Sequence, residues 1–386
     1  MPEDEQQEQQ PPTDWYGPRR RRRWPWVAAP VAVVVLVAGG LVVQHRTTTG
    51  AAPVAPAPAA PTAVVPAAPG EAGFALAGAG DAVVYLQSTG AVQRAELGSG
   101  AATVTSTPAL VEPSSFFAGP GWVVSKTADD PSGFLLRDGG TAQLLPVPLQ
   151  QAGRAYPAGT DGIWVVPAQP DRNGGRTATV VDVGGDRVGD SRIRVPGPLG
   201  VPAFHLTDSL VSVTPQGTYE AGPTGSRRLS GGTLLAVGSD ALLTWDCNTK
   251  KRCDARVNQA EGAPTYVPAV HKSLEGLYGD DVTTAADGRG ALSPDRRWVA
   301  LELPKPMRSG ARLVLVALRS GHRVEVPGAL RADSADQVAW TPDGRYLLAL
   351  TDGRLRVVDT TTEAVVTIGS TLPDLRHLTV AGSATG

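Results

Sequence analysis

The 386-residue sequence is poor in several residues on which protein chemistry often depends: it has two cysteines, five lysines and five histidines. It contains no G-x-S-x-G nucleophile elbow, no H-E-x-x-H zinc motif and no G-x-x-x-x-G-K phosphate-binding loop. Its formal net charge is only −2, which argues against nucleic acid as a partner. We therefore predict no metal, no other cofactor and no nameable catalytic residue, so an enzyme is disfavoured but not ruled out.

Glycine and proline, by contrast, are abundant, with 45 and 34 residues. This many helix-breaking residues argues against long soluble helices and favours short strands that are joined by tight turns. Arginine outnumbers lysine by 30 to 5, and alanine, glycine and proline are enriched as well. Such a composition is typical of a GC-rich genome, for example an actinobacterial one.

The longest apolar run, residues 24–43, contains no charged residue and is long enough for a helix to cross a membrane core of about 30 Å. Five arginines precede it directly, whereas a single arginine, Arg46, follows it closely. The positive-inside rule therefore predicts a single transmembrane helix over 24–43, with the N-terminus in the cytoplasm and the bulk of the chain outside. The arginine block consists of Arg19, Arg20, Arg21, Arg22 and Arg23.

Two alternatives to an uncleaved anchor remain open, namely a cleaved secretory signal and twin-arginine export. The apolar run has no A-x-A-like cleavage site, and the arginine block lacks the rest of a twin-arginine motif. All three alternatives place most of the chain outside the cytoplasm.

The segments on either side of the apolar run have the composition of unfolded chain. Residues 1–23 are acidic and glutamine-rich before the arginine block, which predicts a disordered cytoplasmic tail. Residues 44–73 are rich in proline and alanine, which predicts an extended spacer of about 3.1 Å per residue. Such a spacer is a plain tether, and it is also compatible with crossing part of a cell wall.

From residue 74 to 386 the pattern changes to short apolar runs that are bounded by glycine, proline, aspartate or serine. Strand–turn–strand units recur at the length of propeller blades, so we predict an all-β propeller with seven blades, although six or eight also fit the spacing. We expect the strand-like segments 74–76 and 377–380 to pair and to close the ring. Five tryptophans are expected to pack between blades: Trp122, Trp164, Trp245, Trp298 and Trp340.

Two of these units share a turn motif that is followed by arginine, an aromatic residue and an apolar strand. Proline presets φ in such a turn, and the aspartate hydrogen-bonds the neighbouring backbone. The motif resembles the S-P-D-G-R repeat of TolB-like and WD40-like β-propellers, and this resemblance implies the same fold for residues 74–386. The two copies are Ser293-Pro294-Asp295 and Thr341-Pro342-Asp343.

The two cysteines, Cys247 and Cys253, follow an apolar strand and are separated by five residues. On the outer side of a membrane, this arrangement predicts a disulfide that closes a short hairpin. A zinc site does not fit the spacing, because no second cysteine pair or nearby histidine completes four ligands. The enclosed Lys250, Lys251 and Arg252 form either a solvated hairpin tip or a contact for an anionic partner.

Three functions remain compatible with the sequence. The first is a membrane-tethered propeller that binds a protein or a cell-envelope polymer without catalysis. The second is an envelope hydrolase or cyclase whose site lies at the mouth of the propeller channel. The third is a structural or sensory ectodomain, against which the tail of 23 residues counts, because it is too short for a folded signalling domain.

Overall fold

A computed structural model of the chain describes residues 63–64, 73–110, 113–128, 130–159, 161–196, 204–247, 253–259, 263–278, 290–304, 310–331 and 336–381. The predicted cytoplasmic tail, the arginine block, the apolar run 24–43 and most of the predicted spacer lie outside these residues. Within the described ranges, no helix combines the length and the apolar character that membrane crossing requires.

The first half of the described chain is built from short strands and one helical turn. These elements are β1 (Ala63–Val64), β2 (Val83–Ser88), β3 (Ala91–Glu96), β4 (Ala102–Ser106), β5 (Pro113–Gly119), β6 (Trp122–Thr127), β7 (Gly133–Arg137), β8 (Ala142–Leu144), α1 (Val147–Gln150), β9 (Ala152–Ala158), β10 (Gly162–Pro167), β11 (Arg176–Val181), β12 (Arg187–Val195), β13 (Phe204–Leu206), β14 (Ser209–Thr214), β15 (Gly217–Gly222) and β16 (Gly225–Ser230).

The second half continues the same pattern and adds one longer helix. Its elements are β17 (Thr233–Val237), β18 (Ala241–Cys247), β19 (Cys253–Gln259), β20 (Thr265–Tyr266), α2 (Pro268–Tyr278), β21 (Gly290–Leu292), β22 (Trp298–Pro304), β23 (Ala311–Ala317), β24 (Arg323–Leu330), β25 (Val338–Trp340), β26 (Tyr346–Thr351), β27 (Arg354–Asp359), β28 (Val365–Ile368) and β29 (His377–Ala381).

Successive strands pair antiparallel in four-stranded meanders, which confirms the predicted all-β propeller fold. Four meanders are separate sheets: β5–β8, β9–β12, β13–β16 and β25–β28. A fifth sheet has the strand order β1-β4-β3-β2-β29. The prediction of seven blades, with six or eight as alternatives, is wrong, because the described residues form these five blades and one eight-stranded sheet.

The eight-stranded sheet, in the order β20-β19-β18-β17-β21-β22-β23-β24, consists of two meanders that join at their inner strands. There β17 and β21 pair in parallel, with Ala236 opposite Gly290 and Val237 opposite Ala291. A Cβ atom at Gly290 would lie only 2.5 Å from the Leu235 carbonyl oxygen. Because residue 290 has no side chain, the inner strands of these two meanders can approach closely enough to pair.

The end of the chain closes the ring, but not with the predicted partner. β29 pairs antiparallel with β2, with Val84 opposite Val380, so the early and late parts of the propeller share one sheet. Phe74 lies outside the strands and packs instead in the core with Leu348 and Leu378. The sequence analysis identified the closing strand correctly but assigned it a partner strand that lies several residues too early in the chain. Phe74 is apolar because it packs in the core, and it does not pair in the sheet.

The two copies of the turn motif have the same hydrogen-bond pattern. The Ser293 hydroxyl donates to Asp295 Oδ1 at 2.7 Å, and the Thr341 hydroxyl donates to Asp343 Oδ1 at 2.6 Å. In both copies the hydroxyl also accepts the backbone amide of the aromatic residue five positions later, at 3.0 Å. The serine or threonine thus fixes the start of the next strand.

The tryptophans pack between neighbouring meanders, as predicted. Trp122, Trp164, Trp245 and Trp298 are each buried in an apolar cluster that contains residues of two adjacent meanders. Trp340 is half-buried, and its indole N–H donates to the Ala291 carbonyl at 3.1 Å. A carbohydrate-stacking role is not available to the four buried rings.

Cys247 and Cys253 form the predicted disulfide. They are directly opposite each other in the β18–β19 hairpin. The loop that they enclose, including Lys250, Lys251 and Arg252, lies outside the described residues.

Replacing both cysteines by serine is expected to lower the free energy of unfolding by about 2 kcal/mol, because the bond closes only a small loop in the unfolded chain. Urea unfolding under non-reducing conditions measures this difference. Reductant should move the midpoint of the wild-type protein toward that of the double variant and leave the variant unchanged. Equal midpoints for the two oxidised proteins would contradict the prediction.

Candidate functional site

The inner strands of the meanders form a closed ring around the propeller axis. β5, β9, β13, β17, β21, β25 and β29 each contact the next in this order, and β29 contacts β5. Residues that are far apart in sequence therefore meet at the axis. Loops and strand ends from several blades converge at this ring, which makes it the candidate functional site.

Two side chains of β9 begin the site. Arg154 and Tyr156 are two residues apart, so they share one face of the strand. The positive charge of Arg154 favours the ionised form of the Tyr156 phenol and so lowers its pKa, against a larger effect of burial. Burial, together with a weaker effect from the negative charge of Asp336, raises the pKa of Tyr156 to about 12. The Tyr156 phenol is therefore protonated at neutral pH.

His205 lies on the neighbouring inner strand, β13. Its ring centroid is 6.0 Å from that of Tyr156. Burial lowers the pKa of His205 to about 4, so the imidazole is neutral at pH 7. Its Nδ1 atom is buried and has no hydrogen-bond partner among the described residues.

Asp336 comes directly before β25 and joins two other inner strands. Its carboxylate accepts the Phe116 backbone amide of β5 at 3.1 Å, and its carbonyl accepts the Leu378 amide of β29 at 2.8 Å. Asp336 has a φ of 58°, in the left-handed region that is uncommon for residues other than glycine. Backbone strain of this kind is frequent at binding and catalytic sites.

The environment of the Asp336 side chain is unusual, because the side chain is exposed to solvent although protein surrounds it. Burial raises its pKa to about 7, against the opposing effect of the Phe116 amide.

Arg154, Tyr156, His205 and Asp336 are called the axial cluster below. They provide one permanent positive charge, two neutral polar groups and one carboxyl that titrates near pH 7. The cluster can bind a polar group, and only Asp336 has a pKa suited to proton exchange at neutral pH. In the described part of the chain, no group of three or more His, Cys, Asp or Glu residues is arranged to hold a metal ion.

The residues that the sequence analysis singled out lie elsewhere. Thr341 follows β25 whereas Asp336 precedes it, so the turn motif is at the other end of this inner strand. The disulfide closes the β18–β19 hairpin, and the arginine block lies outside the described residues. No local motif marks the members of the axial cluster, which come from three short segments.

A cleft with a volume of about 440 Å³ lies beside helix α2. Lys272, Ser273, Gly321 and Arg323 are among its lining residues. The Arg323 guanidinium donates to the Ser273 carbonyl at 2.7 Å, and the Ser273 hydroxyl donates to the Gly321 carbonyl at 2.8 Å. Most polar groups of this cleft thus have partners within the protein, unlike Nδ1 of His205.

No family model matches the chain, and no curated protein matches its sequence. Among solved structures, it is similar to TolB from Acinetobacter baumannii, with 12% identity, a TM-score of 0.41, and coverage of 78% of this chain and 67% of that one. It is also similar to apo AztD from Citrobacter koseri, with 13% identity, a TM-score of 0.42, and coverage of 78% and 87%. At these identities the likeness concerns the fold alone.

Proposed function

We propose that this chain is a membrane-tethered propeller outside the cytoplasm, and that it binds a protein or a cell-envelope polymer without turnover. The charge-free run 24–43 behind the arginine block supports the tether, and the proline- and alanine-rich residues 44–73 support a spacer. The residue composition fits an actinobacterial source.

The observation that carries the binding function is the axial cluster. It brings together polar side chains from three separate segments of the ring: the Tyr156 and His205 rings lie 6.0 Å apart, and the charge of Asp336, which is exposed to solvent, acts on Tyr156. His205 and Tyr156 both remain neutral at pH 7, so neither supplies a base there. An arrangement of fixed, neutral hydrogen-bonding groups is suited to recognition rather than to proton transfer.

One observation favours a second candidate, an envelope hydrolase or cyclase. The pKa of Asp336 is about 7, which is the range in which a general acid or base is most effective near neutral pH. For this function, Asp336 would transfer the proton, and Arg154 would stabilise developing negative charge.

The two candidates are separated by purifying the tagged full-length chain from cross-linked cell envelopes. We expect a defined envelope partner to co-purify with the wild-type protein and to fall about tenfold with Arg154→Ala, the change expected from about 1.4 kcal/mol of lost binding energy. Arg172→Ala is the matched control, because Arg172 is an exposed arginine outside the axial cluster.

The same preparations are assayed with a panel of hydrolase substrates. Turnover that Asp336→Asn abolishes, without any partner that depends on Arg154, would contradict the binding function and establish the second candidate.

A further inference from the structure

We propose that the cleft beside α2 binds a phosphate monoester, through the side chains of Lys272 and Arg323. Lys272, Ser320 and Arg323 are among the residues that line it, and it is called the α2 cleft below. The α2 cleft shares no residue with the axial cluster. It is therefore a second binding site beyond the proposed function, and either site can fail without the other.

The positive charge of the α2 cleft is not balanced by a carboxylate. Lys272 and Arg323 form no ion pair with any described residue, and no aspartate or glutamate lines the cleft. The neighbouring carboxylates face histidines instead: Glu275 lies 3.2 Å from His271, and Glu363 lies 2.9 Å from His322. Two positive charges without a counter-charge in one cleft match a doubly charged anion.

Arg323 is held against the side of α2 with most of its donors free. Its guanidinium donates to the Ser273 carbonyl at 2.7 Å, which uses one of its five N–H groups. A Cβ at Gly276 would lie 2.8 Å from Arg323 Nη2, so the glycine leaves room for the guanidinium beside the helix. The other N–H groups have no acceptor among the described residues, and their planar fork matches phosphate oxygens.

The turn between β23 and β24 forms the other wall of the cleft and adds a third donor. The Ser273 hydroxyl donates to the Gly321 carbonyl at 2.8 Å, and a Cβ at Gly321 would lie only 2.7 Å from the Ala269 carbonyl oxygen. The turn is thus packed directly on α2. The Ser320 hydroxyl accepts the His322 amide at 3.2 Å, and its own proton has no acceptor among the described residues. This O–H can donate to a phosphate oxygen.

The opposite face of α2 fixes the helix in place. Val270 and Leu274 are fully buried, and they pack in an apolar cluster with Trp245 of β18 and Val316 of β23. The helix therefore bridges the two meanders of the eight-stranded sheet, and the cleft is built on a rigid support. A site that is already ordered loses little affinity to ordering when a ligand binds.

The volume and the charge of the cleft together define the ligand class. The volume of about 440 Å³ lies in the usual range of small-molecule sites, about 300–1,000 Å³, and leaves space beside a phosphate group. A phosphate monoester carries nearly two negative charges above pH 7, whereas a phosphate diester or a carboxylate carries one. Two unpaired cations with space beside them therefore favour a phosphate monoester that bears a small organic group.

The test measures the binding of methyl phosphate to the full-length chain in detergent, by isothermal titration calorimetry at pH 8. Dimethyl phosphate and acetate, at matched ionic strength, are the singly charged references. We expect saturable binding of methyl phosphate with a dissociation constant of about 1 mM, and binding of both references that is weaker by about tenfold or more.

Lys272→Gln and Arg323→Gln should each weaken the binding of methyl phosphate about tenfold, because each removes a charge-assisted hydrogen bond. Both side chains are exposed, so we expect neither change to alter the thermal transition. Arg172→Gln is the matched control, since it removes an exposed arginine outside the cleft and should bind as the wild-type protein does. If Arg323→Gln lowers the unfolding temperature, Lys272→Gln decides.

Phosphatidic acid in the detergent micelles separates two sources of a phosphate monoester. Competition with methyl phosphate assigns a lipid headgroup, and an unchanged affinity for methyl phosphate assigns a soluble ligand.

The inference would be overturned by wild-type affinity in a folded Lys272→Gln or Arg323→Gln protein, by equal affinity for methyl and dimethyl phosphate, or by the absence of saturable binding. Arg154→Ala should bind methyl phosphate normally, so a failure of the proposed function leaves this result intact. Loss of binding in Arg154→Ala would place the phosphate at the axial cluster and reject the α2 cleft.

Discussion

Removing β29 is expected to prevent the propeller from folding. A chain that ends at Arg376 lacks the inner strand of the first sheet, including His377 and Leu378, which are only 4% and 1% exposed. Its loss would break every β2–β29 hydrogen bond, open the ring of inner strands and leave β2 as an exposed, apolar edge. We expect insoluble protein, or soluble protein without a cooperative thermal transition.

The control is a chain that ends at Ala381, which keeps the whole of β29 and should unfold at the temperature of the full chain. Both truncated proteins are compared by circular dichroism and thermal unfolding. If the shorter chain unfolded cooperatively at the wild-type temperature, ring closure by β29 would not be essential for folding.

Replacing Gly290 by valine is expected to lower the free energy of unfolding by about 3 kcal/mol. A Cβ at this position would lie 2.5 Å from the Leu235 carbonyl oxygen and 2.9 Å from the Ala300 carbonyl oxygen. Both are backbone atoms, so the side chain can fit only if β21 moves away from its neighbours. The parallel pairing that joins the eight-stranded sheet would then be lost.

Urea unfolding of the full-length protein measures this effect. Gly73→Val is the matched control, because a Cβ at Gly73 would meet no atom within 4 Å. Its midpoint should equal that of the wild-type protein. If Gly290→Val left the midpoint unchanged as well, the close approach of β17 and β21 would not contribute to stability.

The fold was largely predictable from local features. Short apolar runs between turn residues marked the strands, and the position of each buried tryptophan in or beside such a run indicated packing between blades. The prediction that Cys247 and Cys253 are bonded within one hairpin is confirmed. It could be made from the sequence because two cysteines six positions apart are close enough in the chain to face each other across a short turn. The grouping of the strands into sheets was less predictable, since the pairing of β17 with β21 depends on how two meanders approach at the axis.

The axial cluster was not predictable at all, because its members have no fixed spacing and no motif. Arg154 and His205 are separated by about fifty residues in sequence, and Asp336 lies much farther along the chain. The sequence analysis singled out none of Arg154, Tyr156, His205 and Asp336. Their proximity results from ring closure, which only the complete set of inner strands produces.

The sequence alone therefore determined the all-β class, the turn chemistry and the disulfide, because each follows from interactions between residues that are near in the chain. The tertiary structure decided the partner of β29, the fusion of two meanders and the chemistry of the axis. The lowered pKa of His205, for example, arises from its burial in the folded protein. Burial of this kind depends on the assembled ring, so it cannot be inferred from any single segment of the sequence.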